Sequence, residues 1–242
     1  MAIPEVARFL ADPEKNCVII EKVNDDIPLS IINTWLMGTV MAYMLQYHNY
    51  LVLHGSAVLM QGHAVIFSGH SGAGKSTLAS ALLKQGHPFI TDDVVVIKHN
   101  EQGQYGVVPG PTYSKLWQDS LAHLDYDTTH AKPIHFKTNK FSIPIAKSCD
   151  LPFIPIAAFY ELSINAKATT FTHQRLTGLT SLQTLMQNAY RYFMLKPLGK
   201  LQHFLDDCSE LAQHISINTL IRPPNLTELS LMIQHIEFEQ GQ

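Results

Sequence analysis

One nine-residue stretch constrains the fold of this chain more than any other. Residues 69–77 have the sequence GHSGAGKST, which completes the phosphate-loop pattern G-x-x-x-x-G-K-[ST]. The apolar run Ala64–Phe67 precedes it and the run Leu78–Leu83 follows it, so the sequence predicts a strand, a loop and a helix in that order. Glycines let the loop curl its N–H groups toward a phosphate, and the start of the helix adds positive potential. We therefore predict an α/β domain that binds a nucleotide.

The residues of this loop have distinct expected tasks. Lys75 is predicted to reach the β- and γ-phosphates, and the Ser76 hydroxyl to join the shell of a Mg²⁺ ion. The predicted nucleotide-binding residues are Gly69, Ser71, Gly72, Ala73, Gly74, Lys75, Ser76 and Thr77. The alternative is a Gly/Ser turn with an exposed lysine, which the flanking strand and helix disfavour. The expected cofactors are ATP and Mg²⁺, but phosphate binding alone does not name a reaction.

Composition excludes several classes of partner. Of the 242 residues, 46% are hydrophobic and 15% are charged, the formal net charge is −3, and Lys and Arg form no run. We therefore expect no binding to nucleic acid or to an anionic membrane. Cys17, Cys149 and Cys208 show no disulfide or zinc pattern, which suits a reducing cytoplasm. The 13 His residues are scattered without an H-E-x-x-H motif, so most are expected to be solvated or satisfied in the core.

A long uncharged segment lies near the start of the chain. Residues 29–46 carry no charge and are almost long enough to cross a bilayer. Polar residues such as Asn33 and Gln46 interrupt the segment, and no cationic start of a signal peptide precedes it. We therefore predict a helix buried against a sheet rather than a membrane span.

The sequence predicts one domain over residues 1–242 in three parts. Residues 1–49 form a lead-in with a short strand at Cys17–Ile20 and the buried helix, residues 50–125 form the nucleotide-binding core, and residues 126–242 form a loop and a helical part. Within the core, the sequence predicts a Gln61-Gly62 turn between two strands, a helix from Lys75 ending near Gly86, and a short helix including Leu116-Trp117 and Leu121–Leu124. Beyond the core it predicts a loop at 126–142 and a strand at Phe153–Leu162. Three helices should follow, one that starts near Ser181, one over Leu198–Ile215 and one over Asn225–Ile236.

A pair of carboxylates follows the predicted phosphate-loop helix. Asp92 and Asp93 come after Thr91, between two strand-like runs. In many phosphate-loop enzymes an acidic residue at a neighbouring strand end anchors Mg²⁺. A second carboxylate beside it could accept the proton of an attacking hydroxyl. The alternative is a polar turn, which the presence of the phosphate loop disfavours.

The order of these motifs resembles that of a known family. The stretches concerned are Leu53-His54-Gly55-Ser56-Ala57-Val58, the phosphate loop, Gly86-His87 and Thr91-Asp92-Asp93-Val94-Val95. Together they resemble the catalytic domain of the HPr kinase/phosphorylase family and, more closely, the shorter HPr-kinase-like proteins found beside bacterial peptide-modification genes. Two later stretches are also similar to the shorter group, namely Lys115-Leu116-Trp117-Gln118-Asp119-Ser120 and Leu220-Ile221-Arg222-Pro223.

This resemblance implies a fold, a reaction and roles for individual residues. The fold would be akin to phosphoenolpyruvate carboxykinase, with a mixed sheet around the phosphate loop and a helical C-terminal part, and the reaction would be ATP-dependent phosphorylation of a serine hydroxyl. By position, His54 matches the active-site histidine of the family, Asp93 the catalytic base and Asp92 the Mg²⁺ ligand, although the two Asp roles could be reversed. Without the resemblance, a histidine in an apolar strand is more often a core residue. Relatives also suggest a homo-oligomer.

Departures from the family pattern narrow the implied function. Typical members carry an acidic residue, tied to the reverse phosphorylase reaction, where this chain has His70. They also have an N-terminal domain, which we do not expect in this chain. HPr is therefore a poor guess for the substrate. Further cations are needed to neutralise the transferred phosphate, and the candidates are Lys115, Lys132, Lys140 and Arg175, each of which could instead be a solvated surface charge.

The leading functional hypothesis is an ATP-dependent kinase that acts on a hydroxyl, with serine of a peptide or protein other than HPr as the acceptor. A nucleotide-binding regulatory module with little or no transfer activity is the first alternative. A kinase for a small hydroxyl compound is the second. The expected partners are a nucleotide and a peptide or protein substrate.

Overall fold

The computed structural model describes residues 1–123, 129, 131–134, 139–146 and 148–241. The strands are β1 (Ala2–Ile3), β2 (Ala7–Asp12), β3 (Cys17–Lys22), β4 (Leu51–Met60), β5 (His63–Ser68), β6 (Phe89–His99), β7 (Tyr105–Val108), β8 (Tyr113–Trp117), β9 (Lys132–Pro133), β10 (Lys140–Pro144), β11 (Ile154–Ile164), β12 (Thr172–Leu176) and β13 (Ser216–Arg222). The α-helices are α1 (Leu29–Trp35), α2 (Met41–Tyr47), α3 (Lys75–Lys84), α4 (Gln118–His123), α5 (Leu179–Gln187), α6 (Leu201–His214) and α7 (Leu229–Gln240).

A mixed seven-stranded sheet forms the centre of the molecule. Its order is β12-β13-β11-β5-β4-β6-β7, with β5, β11 and β13 parallel and β4, β6, β7 and β12 antiparallel to their neighbours. The start of β11 also pairs with β7, so part of the sheet closes on itself. The prediction of an α/β fold with a mixed sheet and C-terminal helices is confirmed.

Helices cover both faces of this sheet with apolar side chains. On one face, Leu185 of α5 and Phe204 of α6 pack in a cluster with sheet residues such as Leu53. On the other face, Leu82 of α3 and Ile236 of α7 pack with residues such as Phe67. The helix that follows the phosphate loop therefore packs on the same face of the sheet as the C-terminal helix.

The N-terminal part packs on β4 and β6, where Ala42 of α2 lies in an apolar cluster with Val52 and Val94. A π-helical turn, Leu36–Val40, joins α1 to α2, and the buried side chain of Gln46 donates from Nε2 to the Tyr190 carbonyl at 2.7 Å. The predicted helix is thus present and largely buried. The described residues include no helix of sufficient length and apolarity to cross a membrane.

Several local predictions were wrong. Leu116-Trp117 belong to β8 rather than to a helix, whereas the strand predicted at Cys17–Ile20 is confirmed as β3 of a small sheet, β1-β2-β3. The final helix starts at Leu229 and not at Asn225. In the predicted loop 126–142, residues 132–133 and 140–142 lie in strands that pair with each other, and the remainder falls partly outside the described residues.

The C-terminal part is also less helical than predicted. It supplies three strands of the central sheet, β11, β12 and β13, of which only the first was predicted. These strands pair with partners far away in the sequence, and such pairing leaves no local pattern to recognise.

Candidate functional site

The phosphate-loop segment forms the predicted strand, loop and helix. β5 ends at Ser68 and α3 begins at Lys75, and the intervening Gly69, Gly72 and Gly74 have φ values of 127°, 85° and 105°. A side chain at Gly69 would also collide with the Leu162 carbonyl. Only glycine adopts these angles without strain, so the sequence dictates the curl of the loop.

Lys75 lies inside this curl. Its side chain is buried, and Nζ donates to the carbonyls of Gly69 at 2.8 Å and His70 at 3.0 Å. Burial, together with the charge of Lys140, lowers the pKa of Lys75 despite the opposing effect of Asp92. The ammonium group is therefore positioned within the loop by main-chain oxygens that a phosphate could replace.

Asp92 is buried and surrounded by hydrogen-bond donors. Its Oδ1 accepts from the hydroxyls of Ser56 at 2.5 Å and Ser76 at 3.0 Å. Its Oδ2 accepts from the hydroxyl of Ser114 at 2.8 Å and from the backbone N–H of Lys115 at 2.7 Å. The structure thus brings Ser76 and Asp92 into contact, and this hydroxyl and carboxylate are hard oxygen ligands of the type that Mg²⁺ prefers.

Asp93 has different surroundings from its neighbour. Its Oδ2 accepts from Lys115 Nζ at 2.7 Å and from the Tyr190 hydroxyl at 3.4 Å. Its Oδ1 lies 3.6 Å from His54 Nδ1, which is beyond hydrogen-bonding distance. Burial alone would raise the pKa of Asp93, but the charge of Lys115 and the smaller effect of His54 lower it overall. The carboxylate is therefore ionised at neutral pH.

A backbone irregularity explains how two adjacent carboxylates reach one cavity. Consecutive side chains of a regular strand point to opposite faces. Asp93 lies within β6 with a φ of 75°, in the left-handed region, and pairs with Gly55 of β4. A Cβ atom at Gly55 would lie 2.7 Å from the Phe67 carbonyl, so that position accepts only glycine. The sequence predicted this pair between two strands, whereas the structure places it within one irregular strand.

His54 lies on β4 directly beside Asp93. Its Nδ1 is 3.0 Å from the Asp93 carbonyl, so Nδ1 carries the proton that is donated to this oxygen. Burial, and next the charge of Lys75, lower the pKa of His54 against the opposing effect of Asp93. A neutral imidazole therefore fixes the backbone at the left-handed Asp93.

The four candidate cations have different positions. Lys115 is buried and paired with Asp93, and Lys140 lines the same cavity with its Nζ 5.8 Å from the centre of the Trp117 ring. Lys132 is exposed on β9, and Arg175 lies on β12 at the edge of the sheet opposite β6. The structure therefore brings Lys115 and Lys140 to the site but not Arg175.

Two site residues were not predicted as functional. Arg222 is buried, and its Nε donates to the Ala73 carbonyl at 3.0 Å while its guanidinium lies against Gly74. Asn188 accepts at Oδ1 from the Gly69 N–H at 3.1 Å and thus holds the start of the loop. Arg222 falls in one of the stretches that resemble the shorter HPr-kinase-like proteins, which was the available signal, whereas Asn188 follows a helix without a motif.

Asp93 lines three neighbouring cavities; one, of about 360 Å³, lies beside His54, and the other two also contact Lys115 and Lys140. Of these two, the larger, of about 550 Å³, is lined by the phosphate loop, Asp92 and Arg222. The smaller, of about 320 Å³, is lined by Trp35 and Tyr190 among others. The arrangement offers one space beside the phosphate-binding loop and a second space that also contacts the Asp93–Lys115 pair.

This fold and site define an HPr-kinase-like phosphate-loop protein. The family model described as "SynChlorMet cassette protein ScmC" matches residues 16–136, half of the chain, and the chain belongs to that family. The chain is also 34% identical over 122 residues to the HPr kinase/phosphorylase of Mycoplasmopsis pulmonis (strain UAB CTIP). That match covers 50% of this chain and 37% of the relative, so the similarity spans little more than a third of the relative's length.

A solved structure is also similar to this chain. It is the Hpr(Ser) kinase/phosphatase from Coxiella burnetii, with a TM-score of 0.41 and 13% sequence identity. The match covers 78% of this chain and 90% of that one.

Proposed function

We propose that this protein is a Mg-ATP-dependent kinase that transfers the γ-phosphate to a serine hydroxyl of a peptide or protein other than HPr. The observation that carries this proposal is the position of Asp93, an ionised carboxylate that lines both the phosphate-loop cavity and a second cavity. A base in that position can contact an acceptor next to the nucleotide. Resemblance to HPr kinase/phosphorylase supports the reaction type.

The phosphate-loop side would bind the nucleotide. Backbone N–H groups of residues 69–77 would surround the phosphates, with Lys75 exchanging its two carbonyl partners for phosphate oxygens. Ser76 and Asp92 would hold the Mg²⁺ ion, which when bound neutralises phosphate charge. Arg222, which lines the same cavity, supports the loop through its bond to the Ala73 carbonyl.

Transfer itself needs a base on the acceptor side. The serine O–H bond breaks and its proton moves to the Asp93 carboxylate, while the serine oxygen forms a bond to the γ-phosphorus and the bond from that phosphorus to the ADP oxygen breaks. Lys115 keeps Asp93 ionised before the reaction. Asp92 is the weaker candidate for the base because each of its two carboxylate oxygens already accepts two hydrogen bonds. Neutral His54 holds the backbone of Asp93 and acts as a positioning residue.

Labelled ATP tests the proposal. The purified chain is incubated with γ-labelled ATP and a bacterial lysate separated into protein, peptide and small-molecule fractions, and the label is traced. We expect alkali-labile, acid-stable label in the protein or peptide fraction, as phosphoserine gives, with Lys75→Ala as an inactive control. Label only in a small metabolite would overturn the choice of acceptor, and binding of ATP without transfer to any fraction would favour a regulatory module.

A further inference from the structure

A cluster of two histidines and one glutamate lies where the edge strand β12 meets α7. His173 is on β12, and His235 and Glu239 are on α7. Each residue offers one ligand atom, and the three atoms lie within 4.8 Å of one another. His235 and Glu239 are four positions apart and so share one face of the helix. The imidazoles are partly buried and the carboxylate is exposed.

The tautomer of His173 is fixed by its neighbour on β13. Asn218 donates from Nδ2 to the Phe159 carbonyl at 3.4 Å, so the atom that lies 3.0 Å from His173 Nε2 is its amide oxygen Oδ1, which can only accept. His173 Nε2 therefore carries the proton, and Nδ1 presents its lone pair to the cluster. Histidines that bind metals usually donate their second ring N–H to an oxygen in this way.

The spacing of the ligand atoms suits a metal ion. His173 Nδ1 lies 2.9 Å from His235 Nε2, so one proton now joins the two rings. Ligand atoms around a tetrahedral Zn²⁺ ion, at about 2.1 Å from it, are separated by about 3.4 Å. The imidazole nitrogens need to part by a few tenths of an ångström, and the exposed Glu239 needs only to swing inward. The rings of Tyr160 and Phe171 flank the imidazoles and limit their movement.

We propose that His173, His235 and Glu239 bind one Zn²⁺ ion. Two imidazoles and a carboxylate are a usual ligand set for zinc, and the exposed side leaves a fourth position for water. The ion would link β12 to α7, whose residues Ile233 and Ile236 belong to the same apolar cluster as Leu82 of α3. The metal would thus stabilise the packing of α7 on the sheet, beside α3, without contacting the nucleotide. The site is independent of the proposed kinase activity.

The test is a zinc titration of the full chain against a chromophoric chelator. Excess Mg²⁺ is present to saturate oxygen-ligand sites, and the background variant Cys17→Ser removes the exposed thiol, which could also take zinc. We expect one equivalent of Zn²⁺ to bind and the melting temperature to rise with zinc, since an ion that binds only the folded state stabilises it. Co²⁺ in place of Zn²⁺ should give the visible absorption of a site with nitrogen and oxygen ligands.

Two variants and a control decide the outcome. His235→Ala and Glu239→Gln should each weaken zinc binding by more than about tenfold and reduce the thermal shift. Glu239 is exposed, so its variant should fold normally. His214→Ala, which changes an exposed histidine at the end of α6, should bind zinc like the parent. Equal affinity in the parent and both cluster variants would overturn the proposal, as would loss of all zinc binding on the Cys17→Ser change alone.

Discussion

Asp92 and Asp93 are adjacent in the sequence, yet the structure gives them opposite surroundings. Asp92 is buried and accepts four hydrogen bonds from three hydroxyls and one backbone N–H. Asp93 is held on one oxygen by Lys115 and Tyr190 while its other oxygen lies beyond hydrogen-bonding distance of His54. A carboxylate whose acceptor positions are all used therefore suits a fixed anchoring role, whereas one with an acceptor position left open toward a cavity is free to take a proton. The left-handed backbone at Asp93 makes this division of roles sterically feasible.

The largest effect is expected from Asp93→Asn. An amide cannot accept the hydroxyl proton, so the rate of transfer should fall by about 10²- to 10⁴-fold, the usual contribution of a general base. ATP affinity should change little because Asp92, Ser76 and the loop remain intact. Steady-state transfer and equilibrium nucleotide binding measure the two quantities. Asp25→Asn, which changes an exposed carboxylate, serves as a matched control, and transfer that survives in the Asp93 variant would contradict the assignment of the base.

Lys115→Met should move the pH dependence of transfer. Lys115 lowers the pKa of Asp93 against the effect of burial, so its removal raises that pKa. A raised pKa protonates the base at a higher pH, and the acid limb of the rate profile therefore shifts upward. A profile of transfer against pH measures this shift.

Lys140, which lines the same cavity, provides a control variant with a smaller expected effect on the pH profile. Lys140 also lowers the pKa of Asp93, but it is the smallest of the named contributions. Lys140→Met should therefore shift the acid limb in the same direction by less. An unchanged acid limb in the Lys115 variant would show that Asp93 is not the group that titrates.

Asp92→Asn should lower stability more than Asp93→Asn does. The amide places an NH₂ group among donors and leaves buried hydroxyl or N–H groups without an acceptor, at a cost of about 1–3 kcal/mol. Urea denaturation of the two variants in the absence of nucleotide measures the difference. A more stable Asp92 variant would mean that its four donors do not favour the carboxylate.

Ser114→Ala should have the smallest effect. It removes one of the four hydrogen bonds to Asp92, whose Oδ2 keeps the Lys115 N–H, so the free energy of unfolding should fall by about 0.5–1.5 kcal/mol. Denaturation detects this change. Transfer activity should stay close to that of the parent, and a large loss of activity would give Ser114 a more direct role than the structure supports.

The sequence predicted the parts of the site that depend on local structure. The phosphate loop follows from glycines at fixed spacing, and the contact between Ser76 and Asp92 was expected from an acidic residue close to that loop, although Asp92 lies within β6 rather than at a strand end. The Asp93–Lys115 pair depends instead on β8, whose strand character comes from pairing with β10 far along the chain. The histidine cluster could not be predicted, because His173 and His235 are 62 positions apart and meet only when α7 packs beside β12.

The division of roles between the two carboxylates is tested most directly by the Mg²⁺ dependence of ATP affinity in Asp92→Asn and Asp93→Asn. Calorimetric titrations with ATP, with and without Mg²⁺, give that dependence for the parent and both variants. We expect Mg²⁺ to strengthen ATP binding to the parent and to the Asp93 variant alike, and this gain in affinity to be lost in the Asp92 variant. Loss of the gain in the Asp93 variant, with retention in the Asp92 variant, would contradict this division of roles.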